Sequence, residues 1–358
     1  SARVSAQYVR NDSKGRAAQG SNDPNLLVPL VNGLPRTVDT RDIKNNWVDE
    51  YGKQITLDPD GKSNNPYWII NKNKYTTRMD RVIGNIILTY KPFEGLTISN
   101  NAGTDFYNET RRKIYAKGTV GEMEGKFQTW DLANRIVNND LMVTYEKTFD
   151  DFGIKGIFGH NINQREWTNN NTLANGLIVD GLYTYTNAKA TSPVNYYEIK
   201  RLMGVYFDLG FSYKSMAFLN VTGRNDWFSA LSYKGKTSPN HIFYPSVGLG
   251  FILSEAIQMP SWFPYLKLRG SWAQSGGAVG AYQLGLTYSY ADAYRKYPVG
   301  SIDNGTIPNL NLKPLTSISY EGGFEARFFN NRFGIDFTYY VRNTKDDIVN
   351  AGISTASG

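Results

Sequence analysis

The sequence predicts an all-β fold, an antiparallel β-barrel of the membrane-spanning kind, and three observations predict it. Apolar and polar residues alternate with a period of two in run after run. Several runs are longer than the roughly 5–6 residues usual in globular sheets. The connections between runs alternate short and long. Composition agrees: 14% of the chain is aromatic, with 25 Tyr, 18 Phe and 34 Gly, a mixture that suits strands and tight turns better than helix interiors.

In chain order, weaker runs at Ser1–Asp12, Arg78–Pro92, Gly95–Tyr107, Asn139–Phe149 and Phe152–Glu166 come first. Clearer ones follow. Val205, Phe207, Leu209, Phe211 and Tyr213 alternate with Tyr206, Asp208, Gly210, Ser212 and Lys214. Ala217, Leu219 and Val221 stand against Asn220, Thr222 and Arg224, and Phe243–Ser254 returns from them. Leu266, Leu268 and Trp272 oppose Lys267, Arg269 and Ser271. Ile318, Tyr320, Phe324, Ala326 and Phe328 oppose Ser319, Glu321, Glu325 and Arg327, and Ile335, Phe337, Tyr339 and Val341 oppose Asp336, Thr338, Tyr340 and Arg342. Helical spacing fits none of these. The total is about eleven strands, and a tilted strand crosses a membrane with ~9–11 residues.

Short turns fall at Lys91–Gly95, Phe149–Gly153, Tyr213–Ser215 and Phe329–Arg332, with a longer one at Ala256–Pro264. Long loops are expected at Ser13–Thr77, Asn108–Asn138, Trp167–Tyr197, Ser229–Ile242 and Gly276–Leu315. Strict alternation puts every short turn at one end of the sheet and every long loop at the other, as in membrane barrels. Phe93, Phe149, Phe152, Tyr213, Trp262, Phe263, Phe328, Phe329 and Phe333 gather at the short-turn end, where an interfacial aromatic girdle belongs. A single-chain bacterial barrel closes with an even strand number, so an odd count predicts an incomplete barrel segment over residues 1–358. A chain that starts inside a strand and trails off through Ile353–Gly358 leads to the same expectation.

Other chemistries find little support. With no Cys and only His160 and His241, far apart, neither a thiolate metal site nor a Ser–His–Asp arrangement can be built. The net charge of +7 is scattered, with no basic run of the kind that binds nucleic acid. Gly235-Lys236-Thr237 resembles the end of a phosphate loop, but Ala230 stands where the loop needs glycine. Asp58–Asn64 spaces oxygen ligands like a calcium loop without the distal Glu, and a solvated turn is the better reading. Carboxylate pairs such as Asp346-Asp347 or Glu122 and Glu124 sit in expected loops. No catalytic residue, metal or cofactor is expected.

Several stretches carry a resemblance to SusC/RagA-type TonB-dependent transporters. Early in the chain these are Leu34-Pro35-Arg36-Thr37-Val38-Asp39 with Arg41-Asp42, Asn65-Pro66-Tyr67-Trp68, Asp80–Asn85 and Gly103–Tyr107. Val221–Trp227 followed by Phe243–Glu255 resembles the family's central hairpin, Leu266–Trp272 with Ser275-Gly276-Gly277 its next strand, and Asn311–Ser317, Ser319-Tyr320-Glu321 and Asp336–Tyr340 its late barrel. The resemblance implies about half of a barrel of roughly 22 strands in the bacterial outer membrane. It also implies a plug domain and N-terminal extension, neither visible in this sequence, through which TonB acts. A SusD-like surface lipoprotein as lid, a dimeric assembly of barrel–lid pairs, and oligosaccharide or oligopeptide as cargo complete what it implies.

For binding, Arg224, Asn225, Asp226 and Trp227 end a strand at the long-loop side, where they are expected at the lumen mouth. Tyr288 and Tyr290, with Tyr294 and Tyr297, and Tyr183, Tyr185, Tyr196 and Tyr197 are expected in long loops, offering flat rings to a sugar or a peptide side chain. The rival readings are a soluble extracellular β-rich glycan-binding protein and the barrel of a TonB-dependent signalling receptor.

Overall fold

The structure is a computed structural model that describes residues 1–15, 37–57, 60–235, 238–277, 280–294, 297–302 and 307–349. Eleven antiparallel strands form one meander: β1 (Ala2–Lys14), β2 (Lys74–Tyr90), β3 (Leu96–Tyr115), β4 (Lys126–Phe149), β5 (Phe152–Leu177), β6 (Ala188–Tyr213), β7 (Ala217–Phe228), β8 (His241–Ile252), β9 (Tyr265–Gly277), β12 (Leu315–Phe328) and β13 (Phe333–Lys345). A separate hairpin, β10 (Tyr288–Tyr294) and β11 (Tyr297–Ile302), interrupts the connection from β9 to β12. Short helices α1 (Thr40–Asn45) and α2 (Pro66–Lys72) lie between β1 and β2, and α3 (Leu253–Ala256) follows β8. No described helix is long and apolar enough to cross a membrane.

Because each strand pairs antiparallel with its neighbour, connections 91–95, 150–151, 214–216, 253–264 and 329–332 share one end of the sheet, and 15–73, 116–125, 178–187, 229–240 and 278–314 share the other. The tight turns use residues that tolerate left-handed backbone: Asp150 has φ 46°, and Asn330 and Asn331 have φ 58° and 65°. At the same end the aromatic rings pack on each other. Phe263 and Phe328 lie 4.8 Å apart between centroids, Phe152 and Tyr213 4.6 Å, and Trp262 stacks beside Phe263 at 5.7 Å.

The register carries the two faces through β6, β7, β8, β9, β12 and β13. Leu209, Val221, Val247, Trp272, Tyr320 and Val341 are successive partners along one row. One residue further along each strand, Asp208, Thr222, Ser246, Ala273, Ser319 and Arg342 form a row on the opposite face. A slip of one residue anywhere would exchange the faces. On β6 the apolar face runs Met203, Val205, Phe207, Leu209, Phe211, Tyr213. That span of roughly 33 Å of strand, tilted by about 45°, is about 23 Å tall, close to the ~25 Å apolar band of outer-membrane barrels.

The strands run well past that band, and here the expected long loops are corrected. Segments 108–115, 126–138, 167–177 and 188–197, read as loop, are strand. β5 and β6 have 26 residues each, about twice what the band needs, so a sheet extension of roughly 30 Å stands above it. Tyr196 and Tyr197 belong to β6, and Tyr288, Tyr290, Tyr294 and Tyr297 to the β10–β11 hairpin. The extension carries its own small core. Ile114, Phe127, Ala174 and Leu177 are buried together, with Phe127 1% exposed, and Tyr183 of connection 178–187 packs edge-on at 6.2 Å. Asn187 knits that connection by donating to the Val179 and Leu182 carbonyls at 2.8 and 2.6 Å while its Oδ1 accepts from Val179 N at 2.9 Å. Trp68 of α2, also buried, donates from Nε1 to Thr119 Oγ1 at 3.0 Å and so ties the segment before β2 to the β3–β4 connection.

Candidate functional site: the polar wall of the barrel

Strand alternation decides what each side chain can touch. The face opposite the apolar band carries charges and amides at every level. Near the short-turn end a cavity of about 580 Å³ is bordered by Glu146, Lys155, Asn220, Arg269, Glu321 and Thr338. Arg269 reaches Asp336 and Thr338 of β13 across the one intervening strand, β12. At mid-height Arg81 Nε donates to Asp105 Oδ1 at 2.7 Å, and Asn85 donates to Asn101 at 2.6 Å. Asn161 and Asn163 both donate to Asn138 Oδ1, at 3.1 and 3.2 Å. Such a surface exchanges hydrogen bonds with a polar solute or with water at little net cost, because each amide offers both donor and acceptor.

Above the band the same face becomes aromatic as well as polar. Tyr107, Asn134 and Trp167 occupy one row of β3, β4 and β5. The Tyr107 and Trp167 rings meet edge to face at 6.3 Å, and Asn134 beneath them is 4% exposed. Arg165 Nε holds Asn134 Oδ1 at 3.2 Å. Nearby, Glu198 accepts from Tyr196 at 2.7 Å and pairs with Lys200 at 2.8 Å. Gln128 donates to Asn171 at 3.2 Å. None of Tyr107, Asn134 and Trp167 stands out in the sequence as a site residue, and Asn134 and Trp167 fall in segments expected as loops.

The four residues expected at the lumen mouth are divided by the pleat. Arg224 and Asp226 share the polar face: Arg224 Nε donates to Asp226 Oδ1 at 2.8 Å, its guanidinium lies 5.5 Å over the Tyr206 ring, and Asp226 is 4% exposed. Gly204, the direct partner of Asp226, makes room for the pair, since a Cβ there would overlap both side chains. Asn225 and Trp227 point to the apolar face, where Asn225 Oδ1 lies 3.3 Å from His241 Nδ1 and the Trp227 and His241 rings are 6.2 Å apart. Trp227 thus sits at the far edge of the band, as an interfacial ring does. Tyr288 is 58% exposed on β10, remote in sequence from these residues, and the Tyr290 side chain lies outside the described residues. Tyr183 and Tyr185 pack on Phe127 instead of standing free.

Among the described residues no group of three or more His, Asp or Glu is placed to hold a metal. Lys236 and Thr237, and Asp58 and Pro59 of the calcium-like turn, lie outside the described residues. So do Leu34, Pro35 and Arg36.

Comparison with known proteins agrees with this geometry. A family model described as TonB dependent receptor-like, beta-barrel, matches residues 8–358. TonB-dependent receptor P26 of Formosa agariphila is 24% identical over 308 residues, covering 82% of this chain and 31% of the relative. TonB-dependent receptor P3 of the same organism is 24% identical over 300 residues, covering 79% and 29%. The chain thus spans about a third of the length of the curated relatives it matches. Among solved structures, the RagAB peptide transporter superposes with a TM-score of 0.71 at 19% identity, over 82% of this chain and 33% of that one. The RagAB peptide importer in its closed-closed state gives 0.70 at 18% identity, over 79% and 32%.

Proposed function

The chain belongs to the TonB-dependent receptor-like β-barrel family, whose members are transporters and receptors of the bacterial outer membrane, and from that premise we propose that it forms part of the wall of an importer for oligosaccharides or oligopeptides. One observation carries this reading: through β6, β7, β8, β9, β12 and β13 an apolar row on one face and a largely polar row on the other run through the same paired strands. Lipid meets the first face and cargo the second. The wall acts passively. The Tyr107–Trp167 pair offers a flat apolar surface, and the amides and ion pairs around it exchange hydrogen bonds with a passing solute. No covalent step is needed.

In the intact protein TonB energises transport through a plug, and a SusD-like lipoprotein closes the long-loop end. The likeness in fold to the RagAB peptide transporter supports an importer barrel and leaves both cargo classes open. The soluble glycan-binding alternative is set aside by family membership and by the band height.

The test is growth of the source bacterium on oligosaccharides or on oligopeptides as sole carbon supply, with the intact gene and with a Tyr107→Ala, Trp167→Ala version. The expected result is a growth defect in one class of medium with the variant still in the outer membrane. Absence of the intact protein from outer-membrane fractions would overturn the reading.

A further inference from the structure

The outer face changes character just above the apolar band. Tyr8, Val82 and Phe106 form its last row on β1, β2 and β3. The next rows on the same face are Arg10, Asp80 and Asn108, then Asp12, Arg78, Thr110 and Asp131, then Lys14, Thr76, Arg112 and Thr129. They stand roughly 5–14 Å above the band, given about 3.3 Å per residue and a strand tilt near 45°.

These rows form a cavity of about 730 Å³, and its roof comes from elsewhere in the chain. Connection 178–187 folds back over the outer face, Tyr185 hydrogen-bonds Thr129, and Arg112 is fixed from above by the Tyr183 carbonyl and lies 5.4 Å over the Phe127 ring. Arg10 donates to Asp12 at 2.7 Å and Arg78 to Asp80 at 3.3 Å, each through Nε. The carboxylates therefore orient the two guanidinium planes and leave both Nη groups of each as donors, among the described residues. Both arginines stay about half exposed, and Lys14 is exposed beside them.

We propose that this roofed pocket binds the phosphorylated headgroup of an outer-leaflet lipid. Position selects the ligand class: a surface continuous with a lipid-facing band, and directly above it, faces the headgroup layer. Chemistry selects the phosphate. Forked Nη donors match phosphate oxygens in pairs, and the threonine hydroxyls of the floor suit the remaining oxygens. The lipid would clamp β1 to β4 against the folded-back connection, at the root of the extension that carries the proposed cargo surface. This proposal rests on the strands spanning a membrane, as set out above.

The test uses the intact protein purified from outer membranes and placed in phosphatidylcholine nanodiscs with and without phosphatidic acid, with lipid retention read by native mass spectrometry. Heat-modifiable migration reports that the barrel is folded and inserted. The expected result is preferential retention of phosphatidic acid, weakened about fivefold for each cation removed and about a hundredfold in Arg10→Glu, Lys14→Glu, Arg78→Glu. Should the triple variant not fold, Arg78→Gln alone is read, with about a fivefold loss expected. Equal retention of the two lipids, or equal retention by folded wild type and variant, overturns the proposal. Inorganic phosphate that displaces phosphatidic acid from the pocket at equal concentration overturns the lipid assignment in favour of a soluble anion. A protein that never inserts overturns the membrane reading itself.

Discussion

Placing one positive charge at different heights on β5 measures where the lipid begins and ends. Phe158 faces outward and is 58% exposed, so its replacement loses little packing within the sheet. It lies six residues from Phe152 at the short-turn end, which is about 14 Å of height at ~3.3 Å per residue and 45° tilt, near the middle of a band about 25 Å tall. An arginine at the midplane costs about 2–4 kcal/mol, and the cost falls to ~0–1 kcal/mol at the interfaces. Asn170 shares that face and strand but lies eighteen residues from Phe152, at a height of roughly 42 Å, well above the band. The expected outcome is that Phe158→Arg destabilises the protein by about 2–4 kcal/mol and Asn170→Arg by less than about 1 kcal/mol. Denaturant titration of the intact protein folded into lipid vesicles, followed by tryptophan fluorescence, gives both values on one scale. Equal costs at the two positions, or a Phe158→Arg cost under about 1 kcal/mol, would refute the assignment of the apolar face to lipid.

Two further outcomes follow from particular contacts. Gly204→Val places a branched side chain against the Arg224–Asp226 pair and is expected to cost about 1–3 kcal/mol, whereas Gly248→Ala, with nothing within 4 Å of its Cβ position, is expected to be neutral or slightly stabilising by the same titration. The Glu124 carboxylate, which accepts a hydrogen bond from Lys189 and feels its charge, is held below the ordinary carboxylate range. A depressed pKa means that the contribution is present above the unfolded value of about 4.3 and is lost as pH falls through the folded one. Protection of the amides of residues 121–125, taken relative to the intrinsic exchange rate at each pH, is therefore expected to fall in acid in the wild type and to lose that dependence in Lys189→Met.

The strands were legible in the sequence to the extent that two different solvents meet them. Between Met203 and Tyr213 one face is apolar and the other polar, so side chains alternate and the period of two is visible. Above the band both faces are wet. On β5 Gln164, Glu166 and Thr168 on one face are no more apolar than Arg165 and Asn169 on the other, and the alternation that marks a strand is silent although the strand continues. The visible runs therefore stop at Tyr107 and Glu166 and resume only at Asn139 and beyond Tyr197, and Trp167 reads as loop.

The sequence by itself determined the class of fold, the alternation of faces along the strands, the aromatic cluster at the tight turns, and the family likeness. Those properties are written in periodicity and spacing, which are local. Tertiary structure alone decided which residues share a surface. Only the register shows that Arg224 and Asp226 share the polar face while Asn225 and Trp227 share the apolar one, and only strand extension sets Tyr107 beside Trp167 or folds Tyr185 back over Thr129. Pairing between strands is fixed by hydrogen bonds and packing over long sequence separations, and a single chain read residue by residue carries the alternation of its faces without the identity of its neighbours.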